Sequence, residues 1–205
     1  MARRTQAGRS GATSSQLIAA AQRLFGRDGY AATSIDAVAV AAGVTKGAAY
    51  HHFEGKAGLF RAVFVREQEQ IAAALERTAA GEPDPWSALR RGCRTFLERC
   101  LDQDFRQIAL LDGPSVLGWE TIREIQYEHT LRVLRDAMRA AVGEGRISEG
   151  DLTARCHLVF GALCEAGMLL ARAEDPVSAL REVAAEAERL LSAFAHSGEP
   201  TANRP

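Results

Sequence analysis

The sequence predicts an all-α protein of about nine helices: a short helix-turn-helix head at the N-terminus followed by a larger helical domain. Two observations carry this. Apolar residues recur with a period near 3.6 almost throughout the 205 residues, and no run of β-branched or aromatic residues alternates over the length of a strand. The segments are also separated by the residues that cap and stop helices, Ser, Thr and Asp before them and Gly or Pro after them.

After a polar arm at residues 1–13, Thr13 and Gln16 have the spacing of a capping box, and Leu17, Ala21, Leu24 and Phe25 form an apolar stripe. Gly29 is expected to stop this first helix, because glycine accepts the left-handed conformation of a C-terminal cap. A second helix is expected from Thr33 or Ser34 to Gly43, and a third, capped by Thr45, to near Phe53. A fourth starts about Lys56, turns Leu59, Phe60, Val63, Phe64 and Ile71 inward, and ends at Gly81-Glu82-Pro83-Asp84-Pro85. Further helices are expected at about 86–101, 105–111, 118–142, 152–173 and 177–195, with breaks at 102–104, Asp112-Gly113-Pro114, the glycines 143 and 145, and Asp175-Pro176. The expected organisation is a flexible basic arm at 1–13, a helix-turn-helix head at 14–60, a larger helical domain at 61–196, and a flexible tail at 197–205.

Composition excludes several classes. With 47% hydrophobic and 25% charged residues and a net charge of −1, the chain is neither disordered nor fibrous. The N-terminus lacks the apolar stretch of a secretory signal, and the apolar run from Cys156 to Ala171 contains Glu165 and falls short of the roughly 20 residues that span a bilayer, so no membrane partner and a cytoplasmic location are expected. Four cysteines, none in a C-x-x-C pair, argue for buried thiols. Cys156 and Cys164, eight apart on one helix face, leave a redox or metal-sensing role open. No carboxylate–histidine metal pair, nucleophile elbow or glycine-rich phosphate loop is present, so no enzyme, no metal and no cofactor are expected.

The near-zero charge conceals an asymmetry: residues 1–60 hold seven Lys/Arg against three Asp/Glu, and the remainder eighteen against twenty-three. The basic part therefore points to a polyanionic partner. Two short helices joined by Gly43-Val44 have the helix-turn-helix pattern, in which the second projects side chains into the major groove of DNA. Ile35, Val38, Ala39, Val44, Ala49 and Phe53 suffice to pack the unit, leaving Lys46, Gly47, Ala48, Tyr50, His51 and His52 for an outer surface. The chain has only two lysines, Lys46 and Lys56, and both bound this segment, where ammonium groups suit phosphate oxygens. At the other end, the helix around 156–171 is apolar on nearly every side. With the last helix it is expected to form half of a four-helix bundle with a second copy, through Val159, Leu163, Val183, Ala187, Leu190, Leu191 and Phe194.

The run from Thr33 through Ser34-Ile35-Asp36-Ala37-Val38-Ala39-Val40-Ala41-Ala42-Gly43-Val44-Thr45-Lys46-Gly47-Ala48-Ala49-Tyr50-His51-His52-Phe53-Glu54-Gly55 to Lys56 resembles the DNA-binding signature of the tetracycline-repressor (TetR) family of bacterial transcriptional regulators. The resemblance extends from Phe25 and Gly29-Tyr30 to Leu59-Phe60. It implies a homodimer that binds an inverted-repeat operator in double-stranded DNA and is released by a small-molecule effector. By that resemblance Thr33, Tyr50 and His52 contact phosphates, and Lys46, Gly47 and His51 lie at base edges. Thr45 caps the recognition helix while touching the backbone, Ala48 makes an apolar contact, and Lys56 holds a phosphate. Arg3, Arg4 and Arg9 would add nonspecific contacts. Val40 departs from the polar residue more usual on the exposed face of the second helix. The effector pocket, again by resemblance, would draw on Phe96, Cys100, Leu110, Trp119, Ile122, Tyr127, Phe160, Cys164 and Met168, suiting a hydrophobic or amphipathic molecule. The stretch from Leu110 to Trp119 is similar to a subtype of the family's C-terminal domain.

Overall fold

The computed structural model describes residues 6–195. Along the chain run α1 (Gln6–Ala32), α2 (Ile35–Ala42), α3 (Lys46–His52), α4 (Gly55–Ala80), α5 (Pro85–Arg99), a single-turn α6 (Gln103–Phe105) that passes into a π-helical segment (Arg106–Asp112), α7 (Gly113–Glu128), α8 (Thr130–Gly143), α9 (Leu152–Arg172) and α10 (Pro176–Ser192). Among the described residues there is no strand, only an isolated antiparallel bridge between Ile147 and Ala195. The fold is all-α, as the periodicity predicts.

Local signals place the N-terminal elements. Ser34 Oγ accepts from the Ala37 N–H at 3.1 Å and Thr45 Oγ1 from the Ala48 N–H at 3.2 Å, so both short helices carry N-caps. Gly43, left-handed at φ 67°, closes α2 through bonds from its N–H to the Ala39 and Val40 carbonyls. Three boundaries differ from expectation. Helix α1 starts at Gln6, so Thr13 lies inside it instead of at its N-cap, and helix replaces the expected arm from Gln6 onward. Arg3, Arg4 and the tail beyond 196 fall outside the described residues. The 118–142 helix is two, α7 and α8, separated at His129, and the Gly113-Pro114 pair breaks nothing. Pro114 sits in the first turn of α7, and Gly113 is there because a Cβ would stand 2.9 Å from the Phe64 ring. The non-helical backbone inside α7 occurs at Gly118.

The chain forms two compact units. Unit 1 joins residues 1–72 to 99–130. Its core holds Leu17, Phe25, Val38, Phe60, Phe64, Phe105 and Ile108, and α6 and the π segment pack on α1. Glu67 is fully buried there, accepting from Gln22 at 2.6 Å and from Arg99 at 2.9 Å. Unit 2 holds residues 73–98 and 131–205. In it Phe96 and Phe160 meet edge to face at 5.7 Å, linking α5 to α9, and α9 packs along α10.

Helix α9 spans 21 residues, extending beyond the apolar run from Cys156 to Ala171, and by length and composition it is long and apolar enough to cross a membrane. Within unit 2 it buries one stripe, Cys156, Val159, Phe160, Leu163, Gly167 and Leu170, as a core helix does.

Candidate nucleic-acid interface

Helix α2 packs on α1 through Ile35, Val38 and Ala39, and α3 closes over them with Ala49, all four buried. Burying that side leaves Lys46, Gly47, Tyr50 and His51 exposed on α3. The pairs 46/50 and 47/51 are each one turn apart, so the side chains of Lys46, Tyr50 and His51 and the bare backbone of Gly47 form a continuous outer strip. Lys46 Nζ lies 5.8 Å from the centre of the Tyr50 ring. No atom lies within 4 Å of where a Gly47 Cβ would be, so the backbone there is open to close approach. Ala48 and His52 are half-buried, with the His51 and His52 rings 5.7 Å apart. The Thr45 hydroxyl is exposed while serving as the cap. Val40 stands on the solvent side of α2, 81% exposed.

Two expected phosphate contacts have other roles in this structure. Thr33 is only 4% exposed, and its hydroxyl donates to the Gly29 and Leu24 carbonyls at 2.9 and 3.2 Å. It therefore faces α1 instead of solvent, which removes it from the outer surface. Lys56 donates to the Ala31 carbonyl at 3.2 Å and lies 4.2 Å over the Tyr30 ring. That ring packs against Phe25 and Phe60, so Lys56 fastens the end of α1 to the start of α4.

The same end of α1 is held from another direction. At Gly29 the backbone leaves helical geometry, at φ 79° and ψ 166°. Just beyond it, Asp112 Oδ2 accepts from the Tyr30 N–H at 2.8 Å and from Gln107 Nε2 at 3.0 Å. The π segment that carries Gln107 and Asp112 thus fixes the point from which the chain sets out toward α2.

Sequence reasoning did not single out Asp36. In the first turn of α2 it accepts a hydrogen bond from Lys46 Nζ at 2.7 Å, an ion pair between two exposed side chains. This bond holds the Lys46 ammonium above the ordinary lysine range. The only available signal was an acid, one of two with Glu54, inside the segment that holds both lysines.

The expected effector-wall residues divide between the units. Cys100 and Ile122 are core residues of unit 1 and Leu110 is half-buried, whereas Trp119 is 67% exposed and Tyr127 also reaches solvent, so neither ring is enclosed by its own unit. In unit 2, Phe96 and Phe160 fill the core, and Cys164 and Met168 are half-buried. Burial pushes the Cys156 thiol up to about 11, which keeps it protonated, with Sγ 3.3 Å from Met138 Sδ.

Six of the seven expected dimer residues line one groove of about 520 Å³ between α9 and α10: Val159, Leu163, Val183, Ala187, Leu190 and Leu191. Val159, Leu163 and Leu191 are buried at its floor as core of their own unit, which corrects their placement on an outer face. Phe194 is not in the groove but lies beneath the Arg155 guanidinium, 5.1 Å away. The outward apolar residues of α9 include Ala154, Leu158, Ala162 and Leu169, spaced by four, four and seven.

Comparison with known proteins agrees with this arrangement. Residues 17–63 match the family model described as bacterial regulatory proteins, tetR family, and residues 86–194 match that of the tetracyclin repressor-like C-terminal domain. The chain is 37% identical to the probable acrEF/envCD operon repressor of Escherichia coli K12, over 79% of this chain and 77% of that one. It is 28% identical to the transposon Tn10 TetC protein of Escherichia coli, over 73% and 75%. A crystal structure of a TetR-family transcriptional regulator from Pectobacterium atrosepticum superposes with a TM-score of 0.79 at 31% identity, covering 94% of this chain and 98% of that one.

Proposed function

This chain belongs to the TetR family of bacterial transcriptional regulators, and from that premise we propose that it is a repressor that binds an inverted-repeat operator as a homodimer and releases it on binding a small hydrophobic or amphipathic ligand. The observation that carries the reading is the exposed strip of α3, with Lys46, Gly47, Tyr50 and His51 on one side of a helix capped by Thr45. Lys46, Gly47 and His51 meet base edges, and Tyr50 and His52 meet phosphates. Thr45 touches the backbone beside them, Ala48 makes an apolar contact at the helix edge, and Lys56 contributes charge from the start of α4. The relative from Escherichia coli K12 described as a probable operon repressor supports this sign of regulation.

Dimerisation uses α9 and α10, where Leu158, Leu169, Val177 and Leu190 expose apolar side chains that a second copy would cover. An isologous contact of this kind gives a two-fold assembly, and hence an operator of two half-sites. The ligand sits among the C-terminal helices. Its effect reaches the head through the π segment, because Asp112 anchors the end of α1 from which α2 departs. To turn occupancy from 99:1 to 1:99 the ligand must favour the releasing state by about 5.5 kcal/mol. The protein acts by binding in the cytoplasm, without catalysis or a cofactor.

The test is selection of duplexes from a random pool by the purified protein, followed by titration across salt. An enriched inverted repeat with half-sites about 34–36 Å apart, or a multiple of that, is expected. Failure to enrich any sequence would refute the reading of α3.

A further inference from the structure

A helix that approaches DNA closely works against a polyanion, yet an acidic side chain stands beside it here. Asp36 is 54% exposed and Lys46 63%, and their side chains are joined at 2.7 Å. Capping does not require this carboxylate, since Ser34 already accepts from the Ala37 N–H. Exposed ion pairs add little to folding stability. The consequence of the pair therefore lies in what it does to Lys46.

We propose that Asp36 is a specificity-determining residue, holding Lys46 in a neutral pair on non-cognate DNA and giving it up only where a correctly placed base edge draws it away. The proposal rests on α3 being the DNA-reading helix. A free surface lysine on a flexible four-carbon stem finds a phosphate on any sequence, and each phosphate it neutralises releases counterions, which steepens the dependence of log K on log salt by about 0.9. A lysine tied to a carboxylate on the neighbouring helix releases none. Its ammonium is confined to the reach of Asp36, and leaving that partner must be offset by a contact at least as good. Random sequence supplies such a contact rarely and the operator supplies it by design, so the pair subtracts from nonspecific binding more than from specific binding.

The experiment compares the wild type with Asp36→Asn, Asp36→Glu, Lys46→Ala and the double variant Asp36→Asn/Lys46→Ala, after circular dichroism has shown matching helicity. The probes are the duplex the wild type enriches from a random pool and a random-sequence duplex of equal length, titrated between 50 and 200 mM salt. For Asp36→Asn the slope on random duplex is expected to steepen by about 0.9, so that affinity falls about 3.5-fold further across that range. The ratio of specific to nonspecific affinity should drop, Asp36→Glu should keep the wild-type ratio, and Lys46→Ala should abolish the slope change. An unchanged slope and ratio in Asp36→Asn, with Lys46→Ala alone still weakening binding, overturns the role of Asp36 and leaves the reading of α3 intact. A slope change that persists in the double variant means that Asp36 acts on phosphates directly, and also overturns it. Wild-type affinity in Lys46→Ala, or no enriched duplex at all, overturns both.

Discussion

Two glycine-to-alanine substitutions in the head should have opposite signs, and the structure gives the size of each. At Gly29 the backbone sits at φ 79° and ψ 166°, a region that side chains other than hydrogen essentially do not enter. Holding alanine there costs about 1–3 kcal/mol. Its Cβ would also stand 3.3 Å from Gln107 Nε2, which already donates to Asp112 beside the Tyr30 N–H, so the neighbours must shift as well. We expect Gly29→Ala to lose about 2–3 kcal/mol, a fall of about 1 M in the urea midpoint at a slope of about 2 kcal/mol per M. Gly47 has a helical backbone, and a Cβ there meets nothing within 4 Å. Gly47→Ala should gain about 0.5 kcal/mol from helix propensity while weakening DNA binding. The assay is urea unfolding followed by far-ultraviolet circular dichroism, with all proteins at one concentration because association contributes to stability. Equal midpoints for Gly29→Ala and wild type would refute the assignment of strain to Gly29.

Other substitutions probe the core and the proposed dimer. Arg99→Ala strands the fully buried Glu67 carboxylate with Gln22 as a remaining donor, and should cost about 3 kcal/mol, the low end for a broken buried pair because Arg99 is partly exposed; an unchanged unfolding midpoint would refute it. Leu169→Glu changes a residue 55% exposed on α9, and should halve the mass seen by light scattering without loss of helicity, whereas Leu163→Glu should unfold unit 2. An intact dimer in Leu169→Glu would place the interface elsewhere. Burial pushes the Cys93 thiol from about 9 up to about 12. The folded state therefore keeps a proton that the unfolded state loses, and this contribution, complete below pH 9, declines as pH rises toward 12. In Cys93→Ala the stability lost between pH 9 and 10.5 should be smaller than in wild type, and parallel profiles would refute the assignment.

The reading head was legible in the sequence because its determinants are local. Ser34 and Thr45 cap helices by bonds to N–H groups three residues away, and Gly43 stops α2 through its own left-handed backbone. The spacing of Ile35, Val38, Ala39 and Ala49 decides which side is buried, and therefore that Lys46, Gly47, Tyr50 and His51 face outward. These are consequences of sterics and periodicity within a few residues, and no distant partner alters them. Tertiary structure decided matters in which distant groups compete for one atom or one face. Lys56 was drawn to the Ala31 carbonyl and the Tyr30 ring at the end of α1, three elements earlier. The apolar residues of α9 were visible as a set, but only packing against α10 separated Val159 and Leu163, which fill the core, from Leu158 and Leu169, which face outward. Gly113 looked like a break and is a point of close packing on Phe64, a distinction that depends on a residue 49 positions away. The ion pair between Asp36 and Lys46 has the same origin, since a sequence records two opposite charges and only the angle between α2 and α3 brings them to 2.7 Å.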